Sequence, residues 1–159
     1  MINRKKICAC GLLIAMTIFA GCGTDQEVVA FQKNLDTFCG NVSKLDAAIN
    51  QIDPNADDAS ALALSYLDKL EIEFQNFAEL DFPKEYDYLE PLADESAKYM
   101  TESVKNYHAA FEGETFNQET ADYARENSAR AVKRVQVILD VLKGEYEEPS
   151  SSDASAAQN

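Results

Sequence analysis

A chain of 159 residues, 46% hydrophobic and 26% charged, is long enough for one packed domain and too apolar to be wholly disordered. Its 28 acids against 14 basic residues leave a net charge of −14, which excludes a nucleic-acid partner because phosphate neutralisation needs basic patches. A single histidine also removes most of the usual acid–base and metal chemistry.

The N-terminus reads MINRKKICACGLLIAMTIFAGC. Arg4, Lys5 and Lys6 are followed by an apolar run of about 14 residues from Ile7 to Ala20, short of the roughly 20 that span a bilayer as a helix. A basic opening, a short apolar core and then small residues form a secretory signal. Its end, Phe19-Ala20-Gly21-Cys22, resembles the lipobox of bacterial lipoproteins, with Phe19 where leucine is commoner. The resemblance covers only the first two dozen residues. It implies that Cys22 receives a diacylglyceryl group on its thiol, and that residues 1–21 are then cut away as a signal peptide. Two acyl chains suffice for stable anchoring, where one is marginal.

Removing 21 of the 159 residues leaves 138, and takes away three basic residues and no acid. The mature side chains then carry 11 basic charges against 28 acidic, or −17. Cys8 and Cys10 leave with the signal. With Cys22 alkylated, Cys39 has no partner for an intramolecular disulfide. It follows Phe38 within an apolar pattern, which predicts a buried thiol.

Residues 22–26 form a tether. At roughly 3.5 Å per residue, Gly23 to Gln26 reach on the order of 15 Å, so the folded body stands close to the membrane. That body, residues 27–144, shows helical periodicity. Val28, Phe31, Leu35, Phe38, Val42, Leu45, Ile49 and Ile52 fall at steps of three and four. A second run holds Ala63, Leu67, Leu70, Phe74 and Phe77. A third holds Ala93, Ala97, Met100, Val104, Tyr107 and Phe111. The fourth holds Ala121, Ala124, Ser128, Ala131, Val135, Ile138 and Leu142. Each run makes one apolar stripe, and a lone helix cannot bury its stripe. Four short-linked helices can, which predicts an all-α, antiparallel up-down four-helix bundle.

The punctuation agrees. Asp53-Pro54-Asn55 ends the first helix, and Asp57 or Asp58 is placed to cap the second. Asp81-Phe82-Pro83 breaks the second, a short helical turn fits between Pro83 and Leu89, and Pro91 suits the first turn of the third. Gly113 breaks the third. Asn117 is placed to cap the fourth, with Phe116 and Ala121 as a staple-like pair, and Gly144 stops it. Residues 145–159, acidic and then Ser/Ala-rich, read as a disordered tail.

Chemistry is sparse. A Ser or Cys nucleophile would need a nearby histidine base and the chain offers only His108, no glycine pattern cradles phosphate, and two Glu-x-x-His pairs for a di-iron site cannot be drawn from one histidine. No catalytic, cofactor or metal set is therefore expected. His108 and Glu112, four apart, are a poor metal pair without further ligands. Asp53, Asn55 and Asp57 fit the opening of a calcium loop, but Asp58 replaces its glycine and Leu64 its bidentate acid. A turn with caps is the simpler account.

The aromatic residues Phe82, Tyr86 and Tyr88 lie in the proline-flanked link outside any clean heptad. They can line a groove for a peptide, glycan or small ligand, or cap the open end of the bundle. The acids around the third link, Glu102, Glu112, Glu114 and Glu119, would suit a basic partner or loose divalent cations.

The expectation is a lipid-anchored extracytoplasmic bundle of the bacterial envelope that binds or scaffolds an envelope protein without catalysis. An alternative is a ligand-binding accessory lipoprotein of a transporter or sensor, with Phe82, Tyr86 and Tyr88 as its contact surface. A hydrolase using Glu85 or Glu90 has the least support.

Overall fold

The computed structural model describes residues 26–112 and 115–144. The expected signal peptide, Cys22 and the expected tether as far as Asp25, Gly113, Glu114 and the tail from residue 145 onward lie outside them. The described chain is all-α, with α1 (Gln26–Asn50), α2 (Ala59–Ala78), α3 (Glu90–Phe111) and α4 (Gln118–Lys143). A 3₁₀ turn at Asp87–Leu89 leads directly into α3, within the link expected to hold a short helical turn.

Side-chain pairs fix the directions. Between α3 and α4 the bonded pairs are Ser103 with Ala124, Met100 with Ser128 and Glu95 with Arg134. As numbers fall on α3 they rise on α4, so the helices run antiparallel. Asp68 with His108 and Gln75 with Thr101 say the same of α2 and α3. Phe38 against Phe77 and Asn41 bonded to Glu73 say it of α1 and α2. Consecutive helices make the close backbone contacts, and α3 with α4 is the most extensive pairing. The α1–α4 side is wider and closes through side chains of the shared core.

The stripes meet in one core. Phe31, Leu35, Phe38, Phe74, Phe77, Met100, Val104, Val135, Ile138 and Leu142 are all buried in it. Its densest part is aromatic. Phe38 stacks on Phe77 at 4.4 Å between ring centroids and meets Phe74 edge-on at 5.3 Å. Such pairs contribute about 0.5–1.5 kcal/mol beyond the area they bury.

The helix ends follow local rules with one exception. Asn117 has extended backbone, and its side-chain oxygen accepts the Thr120 N–H at 3.1 Å. Gly144 adopts φ 71°, the left-handed conformation that favours glycine, and its N–H reaches the Asp140 and Val141 carbonyls. Pro91 sits in the first turn of α3. Asp58 occupies the cap position of α2 without making a side-chain cap bond. Its ψ of 7° lies outside the extended region from which a capping side chain turns back onto the helix.

Two expectations about the stripes need correction. Phe111 is 37% exposed because the last turn of α3 runs past the end of the core, and its ring packs on Phe116 at 4.8 Å. Phe116 is thereby engaged by an aromatic partner at the turn. Ser96, Ser103 and Asn127 are buried, whereas Ala97 and Ser128 are only partly so. The buried faces of α3 and α4 are thus rotated by one position toward each other, along a seam of small residues.

Candidate functional site

The link between α2 and α3 divides its three aromatics by environment. Phe82 is 8% exposed, with its ring 4.7 Å from Phe31 and 6.0 Å from Phe77. It extends the aromatic core to the end of the bundle. Tyr86 is half-buried against that core, and desolvation, then the charges of Glu85 and Tyr88, raises its phenol pKa. Tyr88 stands 61% exposed. The backbone explains the division: the Tyr86 N–H donates to the Pro83 carbonyl at 2.7 Å, and the Leu89 N–H to the Tyr86 carbonyl at 2.9 Å. These two tight turns send Phe82 and Leu89 inward and leave Tyr88 in water. Glu85 and Glu90 are likewise exposed.

His108 and Glu112 are not brought together as a pair of ligands. The His108 imidazole Nε2 lies 2.6 Å from Asp68 Oδ1, joining α3 to α2, while Glu112 is exposed at the end of α3. The Asp53 carboxylate accepts the Asn55 backbone N–H at 2.9 Å, so the loop closes as an aspartate-headed turn. Among the described residues no group of three or more His, Cys, Asp or Glu side chains is placed to hold a metal ion.

Cys39 is 4% exposed on α1. Burial, and then the negative charge of Asp36, pushes its thiol up to about 11, against a smaller pull from Lys143. A thiol so protonated and enclosed is unreactive.

One surface feature was not visible in the sequence. The outer side of the α3–α4 pair holds an open depression of about 440 Å³, lined by Asn106, Glu119, Thr120, Asp122, Tyr123 and Glu126. Asp122 accepts from Arg125 at 2.8 Å and from Gln118 at 2.9 Å, so part of its charge is already engaged. Below Arg125, Tyr107 is half-buried, and desolvation raises its phenol pKa against an opposing effect of Arg125. Farther along the pair, Arg134 is bonded to Glu95, and the guanidinium groups of Arg130 and Arg134 both lie 5.9 Å from the Tyr99 ring. The depression escaped the periodicity argument because its residues occupy outward positions, which a core pattern ignores.

Fold and surface together define a class: an antiparallel four-helix bundle with a filled aromatic core and an acidic exterior. Among the described residues no helix is long and apolar enough to cross a membrane. Comparison with protein-family models, curated proteins and solved structures finds no match for this chain.

Proposed function

We propose that this protein is a lipoprotein of the bacterial envelope, anchored through Cys22 on the extracytoplasmic side. Its bundle acts by binding or scaffolding another envelope component, without catalysis. The observation that carries the reading is the order of features in residues 1–22: Arg4, Lys5 and Lys6, a short apolar run, then Ala20-Gly21-Cys22.

Combined with the antiparallel fold, the proposed anchor implies an orientation. Anchoring through Cys22, four positions before the first described residue of α1, puts the start of that helix near the lipid. The start of α1, the Glu79–Leu89 link and the end of α4 then face the membrane. The Gln51–Asp58 and α3–α4 turns face away from it. The acidic exterior keeps the bundle off an anionic surface, over a range of about one Debye length.

Fractionation tests this reading. The wild-type chain should sediment with membranes and be released by detergent, and Cys22→Ser should appear in the soluble extracytoplasmic fraction. A Cys22→Ser chain still held in the membrane contradicts the proposal.

A further inference from the structure

At the end of the bundle away from the tether, two phenylalanines stand in water. Phe111 closes α3 and Phe116 precedes α4; they are 37% and 49% exposed, with ring centroids 4.8 Å apart. Hydrogen bonds join the two helix ends that carry them. The Asn117 N–H donates to the Ala110 carbonyl at 3.0 Å, and the Asn117 side chain caps α4. Asn117 makes these bonds without help from the rings, so two large apolar side chains are not required for them. An exposed aromatic pair is the kind of apolar surface that marks an interaction site.

The charge around the pair is mostly negative. Glu112 and Glu119 flank it, and the depression that begins at Glu119 continues through Asp122 to Glu126. The α1–α2 turn at the same end adds exposed Asp53, Asp57 and Asp58. Arg125 on this stretch of α4 is tied to Asp122, and on the facing stretch of α3 Lys105 is paired with Glu102 and His108 with Asp68. Acids around aromatic rings attract cations twice, through Coulomb attraction and through the ring faces.

We propose that the Phe111–Phe116 end docks a basic segment of another envelope protein, one that sets an apolar side chain on the rings and lysines or arginines against the surrounding acids. A second copy of this chain is disfavoured, since two such ends repel. Anionic lipid is repelled for the same reason. The docking deepens the binding role proposed above, and only its orientation away from the membrane rests on anchoring through Cys22.

In-cell photocrosslinking of the full chain, in cells that natively make it, tests the docking. A photoreactive residue at position 116 should give one dominant protein adduct. The same residue at Ile72, on the side of the bundle, or at Tyr88, at the opposite end, should not. Mass spectrometry of the adduct should place the crosslink in a segment of net positive charge. Glu112→Lys with Glu119→Lys should reduce the adduct about tenfold or more, whereas Glu79→Lys with Glu85→Lys should leave it unchanged. Helicity measured by circular dichroism should be the same for both double variants. An absent adduct at position 116 overturns the proposal, as does an adduct on an acidic or neutral segment, on lipid or on a second copy of this chain. The adduct should persist in Cys22→Ser if docking is independent of anchoring, so loss of membrane retention and loss of docking are read separately.

Discussion

The Ser103 hydroxyl donates to the Ala124 carbonyl at 2.8 Å across the α3–α4 seam, with Ser103 fully buried. A serine hydroxyl reaches little beyond its own Cβ, so this contact exists only where two helix backbones come close. Ala93, Ser96, Ala121, Ala124 and Ala131, all buried, supply the small side chains that permit such an approach. Ser103→Ala should therefore cost only about 0.5–1.5 kcal/mol, the net value of one hydrogen bond. Ser103→Leu should cost about 1–3 kcal/mol or more, because the added side chain forces the helices apart. Urea unfolding midpoints of the two variants measure this difference.

Asn127 carries the opposite lesson. It is 2% exposed, and its side-chain Nδ2 has no hydrogen-bond partner. A buried unsatisfied amide costs about 1–3 kcal/mol. Asn127→Ala, which removes the unpaired amide without adding bulk to the seam, should raise the thermal midpoint and the urea midpoint without changing the slope of the urea transition. A lower midpoint would show that the amide is satisfied in solution.

The four helices were legible because stripes of large apolar residues at steps of three and four allow little else. Asn117 and Gly144 were legible because a capping side chain and a left-handed residue act locally. Ser96, Ser103 and Asn127 were not, since polar side chains enter a core only where two backbones come close, which is a property of the helix pair. His108 finds Asp68 forty positions away, and Phe82 finds Phe31 fifty-one away. A single-helix pattern cannot register contacts of that range. Of the Phe82, Tyr86 and Tyr88 group, the spacing located the link correctly and left open which rings turn inward.

The aromatic core and the aromatic end should respond differently to truncation. Phe77, 1% exposed and packed on Phe38, should cost about 3–5 kcal/mol as Phe77→Ala. That is a large share of the 5–15 kcal/mol typical of a whole domain. Phe116→Ala, at a position 49% exposed, should cost much less. Denaturation of both variants provides the comparison; equal losses would mean that Phe116 belongs to the core.

Cys39 makes stability depend on pH in the alkaline range. A thiol raised from 9.0 to about 11 by folding keeps its proton in the native state after the unfolded chain has lost it. Stability from this group is therefore constant below about pH 9 and falls as pH rises toward 11. At about 1.4 kcal/mol per pH unit, the loss is on the order of 2–3 kcal/mol. Cys39→Ala should remove this part of the alkaline slope. The native thiol should also react with iodoacetamide at pH 8 far more slowly than the same thiol in urea.

The proposed lipid on Cys22 would hold the bundle to a membrane. Labelling cells with radioactive palmitate tests it most directly. The account predicts label on the wild-type chain, a mature N-terminus at Cys22, and neither label nor membrane retention for Cys22→Ser. Label and retention that both survive the Cys22→Ser substitution would contradict it.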